Sequence, residues 1–265
     1  MHIKRSALAA MLLVVVVPAQ AGTAKPAAQV TEYEKLVAEW KAAGDAFTVA
    51  RKALAETDAY KAAVEAKDSK AQRELMGKLE KPDAKAFGER ALKLADQQKG
   101  DAAMPFLTFA ATELNDEATT KAVVERVLAK HVKSPQLTGL MENAMAIARF
   151  VGPEDTDKFL ERVIAESPQP VNKGWAMYWQ SVTITRNKNA SDEDKAKAQQ
   201  LLADAEKLAA GTDLADRIAG PRFEKESLQI GMEVPNIAGE DVDGVKFNLA
   251  DYRGKVVVLD FWGFW

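Results

Sequence analysis

Hydrophobic residues recur at intervals of three and four along most of the chain, from residue 31 to about residue 228. Residues with this spacing lie on one face of an α-helix, so the pattern predicts amphipathic helices. The clearest stripe follows Ser134-Pro135 and ends before Gly152-Pro153. Its members are Leu137, Leu140, Met141, Ala144, Ile147, Ala148 and Val151. We expect one helix across these positions, within a mainly α-helical region.

Polar residues mark where several of these helices begin. Thr31 and Glu34 have the spacing of a capping box, in which a hydroxyl and a carboxylate bond to free amides at a helix start. Ser191 and Asp194 repeat that spacing. Pro82 can open a long helix, because its missing amide hydrogen is not needed in the first turn.

Helix pairs recur roughly every 34 to 40 residues, the range of antiparallel helical repeats. They share no repeat signature. The spacing favours a helical-hairpin array that resembles tetratricopeptide repeats, and an irregular helical bundle is the alternative.

The pattern changes near Gly231, where helical spacing gives way to β-type alternation. Val245, Phe247 and Leu249 alternate with polar residues, as in a strand with one buried face. Asp243-Gly244 suits the tight turn of a hairpin. The run from Val256 to Phe261 is β-branched and apolar, which predicts a strand buried on both faces. The fold class is therefore mainly α, followed by the β start of an α/β domain.

The first 21 residues have the three parts of a secretory signal peptide. Lys4 and Arg5 give a basic start, residues 7–17 are apolar, and Ala19-Gln20-Ala21 supplies the small residues of a cleavage site. We expect cleavage after Ala21, a linker over residues 22–30, and export to the periplasm or cell envelope. A membrane anchor is the alternative, but the apolar run is shorter than the roughly 20 residues that a spanning helix needs.

Composition and charge exclude several classes of function. The formal net charge is -3, so no basic surface for nucleic acid is expected. The chain has no cysteine, and its 265 residues therefore cannot form a disulfide or supply a thiol nucleophile.

The candidate ligand-binding residues have structural interpretations. We expect no metal or cofactor, because His131 has no second ligand at a suitable spacing and is interpreted as structural. The acidic turn with Glu240, Asp241 and Asp243 lacks the other ligands of a calcium loop. The stripe from Trp175 to Trp179 is interpreted as helix core.

Residues 230–265 combine several short motifs. They are Ile230-Gly231 with Pro235, Asp241 to Gly244, Leu249 with Asp251-Tyr252, Arg253-Gly254-Lys255, and Phe261-Trp262-Gly263 with Trp265. Together these motifs resemble the opening of a thioredoxin-like domain of the TlpA/ResA-type thiol–disulfide oxidoreductases. That family belongs with the alkyl hydroperoxide reductase and thiol-specific antioxidant superfamily, the redoxins. The resemblance divides the chain into a helical domain over residues 31–228 and the beginning of a redox domain over residues 229–265.

The resemblance implies an active site that begins immediately after Trp265. In the family, the first cysteine of a Cys-x-x-Cys motif stands there, at a helix start that stabilises the thiolate. Asp260, Trp262, Phe264 and Trp265 would flank this site, and carboxylates at the position of Asp260 can tune proton transfer in relatives. Alternatively, the aromatic residues are core residues and Asp260 is solvated.

Two functional classes follow. The first is an exported thiol–disulfide oxidoreductase, or a thiol peroxidase, that acts on a thiol or disulfide protein partner; the 265 residues alone would be inactive. The second is a helical protein-binding module with a vestigial thioredoxin-like tail. We expect one of three reasons for an end at Trp265: a fragmentary sequence, a true stop codon, or a UGA codon that encodes selenocysteine as the attacking residue.

Overall fold

The computed structural model describes residues 31–260. The predicted signal peptide at residues 1–21, the linker at residues 22–30 and the aromatic residues 261–265 lie outside this range. Twelve α-helices lie within it. The first six are α1 (Glu32–Ala55), α2 (Asp58–Glu65), α3 (Ser69–Gly77), α4 (Ala84–Asp96), α5 (Met104–Thr112) and α6 (Glu117–Arg126). The others are α7 (Thr138–Glu142), α8 (Ala144–Val151), α9 (Pro153–Glu166), α10 (Pro170–Arg186), α11 (Asp192–Leu208) and α12 (Asp213–Ser227).

Short elements connect and follow the helices. Three 3-10 turns span Gly100–Ala103, Pro135–Leu137 and Leu249–Tyr252, and one π-helical turn spans Val127–His131. Strands β1 (Ala238–Glu240) and β2 (Lys246–Asn248) form a two-stranded antiparallel sheet in which Gly239 pairs with Phe247. The prediction of a mainly α-helical chain followed by a short strand region is confirmed. The repeat-array arrangement stays a prediction.

Two helices form much of the hydrophobic core. Six of the nine residues of α5 are buried, because its sequence MPFLTFAAT is apolar on nearly every side. Helix α10 packs against α7, α9, α11 and α12 and buries Trp175, Ala176 and Trp179. The core runs from Leu36 to Ile218 and includes no later residue of the described range. The helical part therefore has a core of its own.

Several helix boundaries follow the sequence prediction. Helix α1 begins at Glu32, directly after Thr31. At α11, the Ser191 hydroxyl accepts from the Asp194 amide at 3.1 Å, and the Asp194 carboxylate accepts from the Ser191 amide at 3.0 Å. This confirms the second capping box. Gly152 has a φ of +84°, a conformation that favours glycine, and the next residue opens α9.

The helix expected over residues 135–151 is wrong as one element. It is divided at Asn143, whose φ of -107° and ψ of 18° are not helical. The Asn143 side chain donates to the carbonyl of Gly139 at 2.9 Å. Asparagine competes for backbone groups in this way, and the apolar stripe continues across the break because α7 and α8 both face the core.

The prediction that Pro82 opens the fourth helix is wrong. Pro82 precedes α4, and the Asp83 carboxylate caps the helix by accepting from the Ala86 amide at 3.0 Å. The sequence also left α2 and α3 unpredicted. Their N-caps are Thr57 and Asp68, whose side-chain oxygens accept backbone amides. Both helices are short and mostly exposed, so their apolar periodicity is weak.

Candidate functional site

The hairpin after residue 237 is organised by one carboxylate. The Asp241 side chain accepts from the backbone amides of Asp243 and Val245, each at 2.9 Å. Gly244 completes the turn with a φ of +78°. The predicted Asp-Gly turn is confirmed, and the acidic side chain that defines it is occupied by backbone bonds. Among the described residues, no three histidine or carboxylate side chains are grouped so that they could hold a metal ion.

Replacing Asp241 by alanine should destabilise this hairpin locally by about 1–3 kcal/mol, because two backbone hydrogen bonds lose their acceptor. Amide hydrogen exchange at Asp243 and Val245 measures the loss as faster exchange. Asp241→Asn keeps an acceptor oxygen and should restore slow exchange. The control is Asp243→Ala, since the Asp243 carboxylate makes no hydrogen bond within residues 31–260. Equal acceleration of exchange in both alanine variants would contradict a specific role of the Asp241 carboxylate.

A second side chain joins the hairpin to the turn that follows it. Asn236 accepts from the amide of Ala250 at 2.9 Å, and the Leu249 amide donates to the Ile237 carbonyl at 2.8 Å. Leu249 therefore begins a 3-10 turn instead of ending the second strand, as the alternation had predicted. Gly254 has a φ of +83° and reverses the chain before Val256.

The buried strand predicted at Val256 to Phe261 is not formed over residues 256–260. These residues pair with no strand in the described part of the chain, and all of them are exposed. Their exposures nevertheless alternate, from 97% at Val256 to 42% at Val257 and 87% at Val258. This is the period of a strand, and the residues of the less exposed face, Val257 and Leu259, line a cleft together with residues on either side of the hairpin. The prediction fails because residues 31–260 offer no neighbouring strand and no covering helix.

The less exposed face of residues 256–260 borders a cleft. The cleft has a volume of about 570 Å³ and is lined on one side by Val257 and Leu259, and on the other by Val234, Pro235 and Leu249. Its exposed lining surface is mainly apolar, and the charged residues Glu233, Arg253 and Lys255 also line it.

The structure places only one of the four predicted flanking residues. Asp260 lies at the end of the described range and is exposed. Trp262, Phe264 and Trp265 lie outside the described residues. The role of the four residues beside an active site stays a prediction.

The structure places both candidate ligand-binding groups of the helical part, the tryptophan stripe and His131. Trp175 and Trp179 are 3% and 6% exposed, and the Trp179 indole donates to the Met141 carbonyl at 2.7 Å. The guanidinium of Arg217 covers the Trp179 ring at 5.3 Å. The interpretation of this stripe as helix core is confirmed. His131 is half-buried at the end of the π-helical turn; burial lowers the pKa of its imidazole, Asp101 opposes that shift, and Lys130 adds to it.

Comparison with known proteins finds short matches to one kind of protein. The thiol–disulfide oxidoreductase ResA of Bacillus anthracis is 50% identical over 42 residues, which are 16% of this chain and 24% of that protein. ResA of Bacillus subtilis strain 168 is 46% identical over 41 residues, 23% of its length. ResA of Geobacillus kaustophilus is 43% identical over 42 residues, 24% of its length.

These matches show a thioredoxin-like relationship. It is limited in extent, since the chain spans about a quarter of the length of the curated relatives that it matches. No family model matches the chain, and no solved structure matches it. Between residues 31 and 260, no helix has both the length and the apolar character that crossing a membrane requires.

Proposed function

We propose that this chain is part of an exported thioredoxin-like thiol–disulfide oxidoreductase, in which residues 229–265 begin the redox domain. The observation that carries the proposal is the 50% identity to ResA proteins over 42 residues. Export rests on the basic, apolar and small-residue pattern of residues 1–21. Residues 31–228 form the helical domain and would position the enzyme against a protein partner.

The exposed surface of residues 256–259 supports this proposal. Val256 and Val258 expose one apolar face almost fully, and Val257 and Leu259 expose about half of the other. A β-branched run of this kind is typical of an interior strand that is covered on both faces. We propose that strands and helices from outside residues 31–260 cover it and fill the adjoining cleft.

The proposed reaction is thiol–disulfide exchange. A thiolate at the position after Trp265 attacks one sulfur of a partner disulfide, forms a mixed disulfide and releases the other partner sulfur as a thiolate. A second thiol three positions later attacks the enzyme's sulfur, which frees the reduced partner and leaves a disulfide in the enzyme. Trp262, Phe264 and Trp265 would shield the first thiol from water. The 265 residues contain no cysteine, so by themselves they supply neither thiol.

A second function is favoured by one observation. The hydrophobic core of the helical part extends from Leu36 to Ile218. It includes no described residue of the β tail, which comprises residues 229–265. Such a domain could bind a protein partner independently, and the β tail would then be vestigial. A thiol peroxidase remains a variant of the first function, because both chemistries need a nucleophilic thiol or selenol that these residues lack.

Insulin reduction driven by dithiothreitol separates the two functions. We expect the 265-residue chain to leave the rate at the level of buffer, because it has no thiol. A product that continues beyond Trp265 with a Cys-x-x-Cys motif should accelerate the reaction, and replacing its first cysteine by serine should abolish the acceleration. Circular dichroism confirms that both products are folded. A folded, dithiol-containing product without activity would contradict the oxidoreductase, and activity in the 265-residue chain would contradict the assigned chemistry.

A further inference from the structure

The π-helical turn at Val127–His131 brings together polar side chains that a regular α-helix would separate. Residues five positions apart in an α-helix point about 140° away from each other. A π turn bonds residues five apart, so Arg126 and His131 come to the same side of the helix. Lys130 lies beside them. Turns of this kind are rare and occur frequently at functional sites.

These three side chains border a pocket of about 160 Å³ between α4, α5 and the π turn. Its apolar floor consists of Ala95, Ala103 and Leu107, which are 1–3% exposed. By volume the pocket holds about five water molecules, at roughly 30 Å³ each. It therefore suits a ligand of a few atoms with an apolar body.

The charged side chains at the rim of this pocket differ in whether they already have a hydrogen-bond partner. Arg126 is held by Asp96 through two hydrogen bonds, Nε to Oδ1 at 3.0 Å and Nη2 to Oδ2 at 2.9 Å. Within residues 31–260, Lys130 forms no salt bridge and the His131 ring makes no hydrogen bond, although the Lys130 charge adds to that of Arg126 in lowering the pKa of Asp96. Asp101, on the preceding 3-10 turn, is the remaining charged group that acts on His131. The rim therefore offers two donors that make no hydrogen bond there, Lys130 and His131, beside the Asp96 carboxylate, which Arg126 occupies, and the Gln98 amide oxygen.

We propose that this pocket binds a small aliphatic carboxylate, about the size of butyrate. The carboxylate accepts hydrogen bonds from the Lys130 ammonium and from one ring N–H of His131, which a neutral imidazole provides. The aliphatic chain packs on Ala95, Ala103 and Leu107. Arg126 is fixed by Asp96 and shapes the wall of the pocket.

The bound carboxylate would change the titration of His131. An anion at hydrogen-bond distance favours the charged imidazolium, so binding raises the His131 pKa, against the lowering caused by burial and Lys130. Asp101 and Asp96 are the other acidic groups near the pocket, and Arg126 and Lys130 the basic ones. Binding should accordingly strengthen as the pH falls from 8 to about 6, the region where histidine titrates.

Histidine side-chain NMR of the 265-residue chain tests the proposal, with butyrate as the probe and butanol as the uncharged control. His131→Gln assigns the signal, since His2 is the only other histidine. We expect a saturable shift of the His131 signal with a dissociation constant on the order of 1 mM, and no such shift with butanol. Lys130→Met should weaken binding at least about tenfold, by loss of a charge-assisted hydrogen bond.

Lys133→Met is the matched control, because Lys133 is also exposed but does not line the pocket. It should leave the affinity unchanged. Since Lys130 is exposed, its replacement does not disturb the core. The proposal is overturned if butyrate gives no saturable shift, if butanol shifts the signal equally, or if the two lysine variants lose the same affinity.

Discussion

Replacing Phe159 by alanine is expected to lower the free energy of unfolding by about 3–5 kcal/mol. Phe159 lies in α9, is fully buried and belongs to the core cluster, to which α1 and α4 to α12 contribute residues. The change removes most of an aromatic side chain and leaves a cavity that the surrounding helices fill only in part. Because a domain is stable by only about 5–15 kcal/mol, the variant should unfold at a much lower denaturant concentration or fail to accumulate.

Phe223→Ala makes the same chemical change at an exposed site and serves as the control. Phe223 lies in α12 and is 37% exposed, so its replacement should cost less than about 1 kcal/mol. Chemical denaturation followed by circular dichroism compares the two variants with the unchanged chain. Equal losses would contradict the placement of Phe159 at the centre of the core.

Replacing Gly88 by alanine should destabilise the protein by about 1–3 kcal/mol, although alanine is the better helix former. Gly88 lies in α4, where a β-carbon would come within 2.1 Å of the Thr119 hydroxyl oxygen on α6. Thr119 is buried, and its amide donates to Asp116 at 2.8 Å, so this side of α6 cannot move away freely. The clash should therefore outweigh the gain in helix propensity.

Gly44→Ala provides the opposite case. Gly44 lies in the interior of α1, and a β-carbon there has no neighbour within 4 Å. This variant should gain about 0.5–1 kcal/mol, because alanine loses less conformational freedom in a helix. The midpoints of thermal unfolding should move in opposite directions for the two variants. A Gly88→Ala protein as stable as Gly44→Ala would contradict the close approach of α4 and α6.

Two features that depend on residues close together in the sequence were predicted correctly. The capping box at Ser191 and Asp194 involves residues three positions apart, and the Asp243-Gly244 turn is set by backbone conformation, so both were visible in the sequence. The break at Asn143 depends on a side-chain bond that competes with an otherwise regular apolar stripe. The apolar stripe of residues 137–151 predicted burial on one face, but it did not predict that α7 and α8 divide these residues between them.

The remaining differences arise from long-range packing. Residues 256–260 have the composition of a buried strand, but strand formation needs partners, and the described chain supplies none. The π-helical turn has no simple sequence signal, because helical propensity does not distinguish it from α-helix. For the candidate site, the motifs of residues 230–265 pointed to thioredoxin-like chemistry, and the ResA matches support that relationship over 42 residues. The positions of Trp262, Phe264 and Trp265 around a thiol remain a prediction.

The central proposal is that residues 229–265 begin a redox domain whose first active-site residue would follow Trp265. Sequencing the gene through the codon after Trp265, and well beyond it, tests that claim most directly. We predict a cysteine codon or an in-frame UGA, then a cysteine codon three positions later, within a thioredoxin-like reading frame. A cysteine codon would indicate a thiol enzyme, and UGA would indicate selenocysteine. A different stop codon with no open frame behind it would contradict the oxidoreductase and leave the helical domain as the functional part.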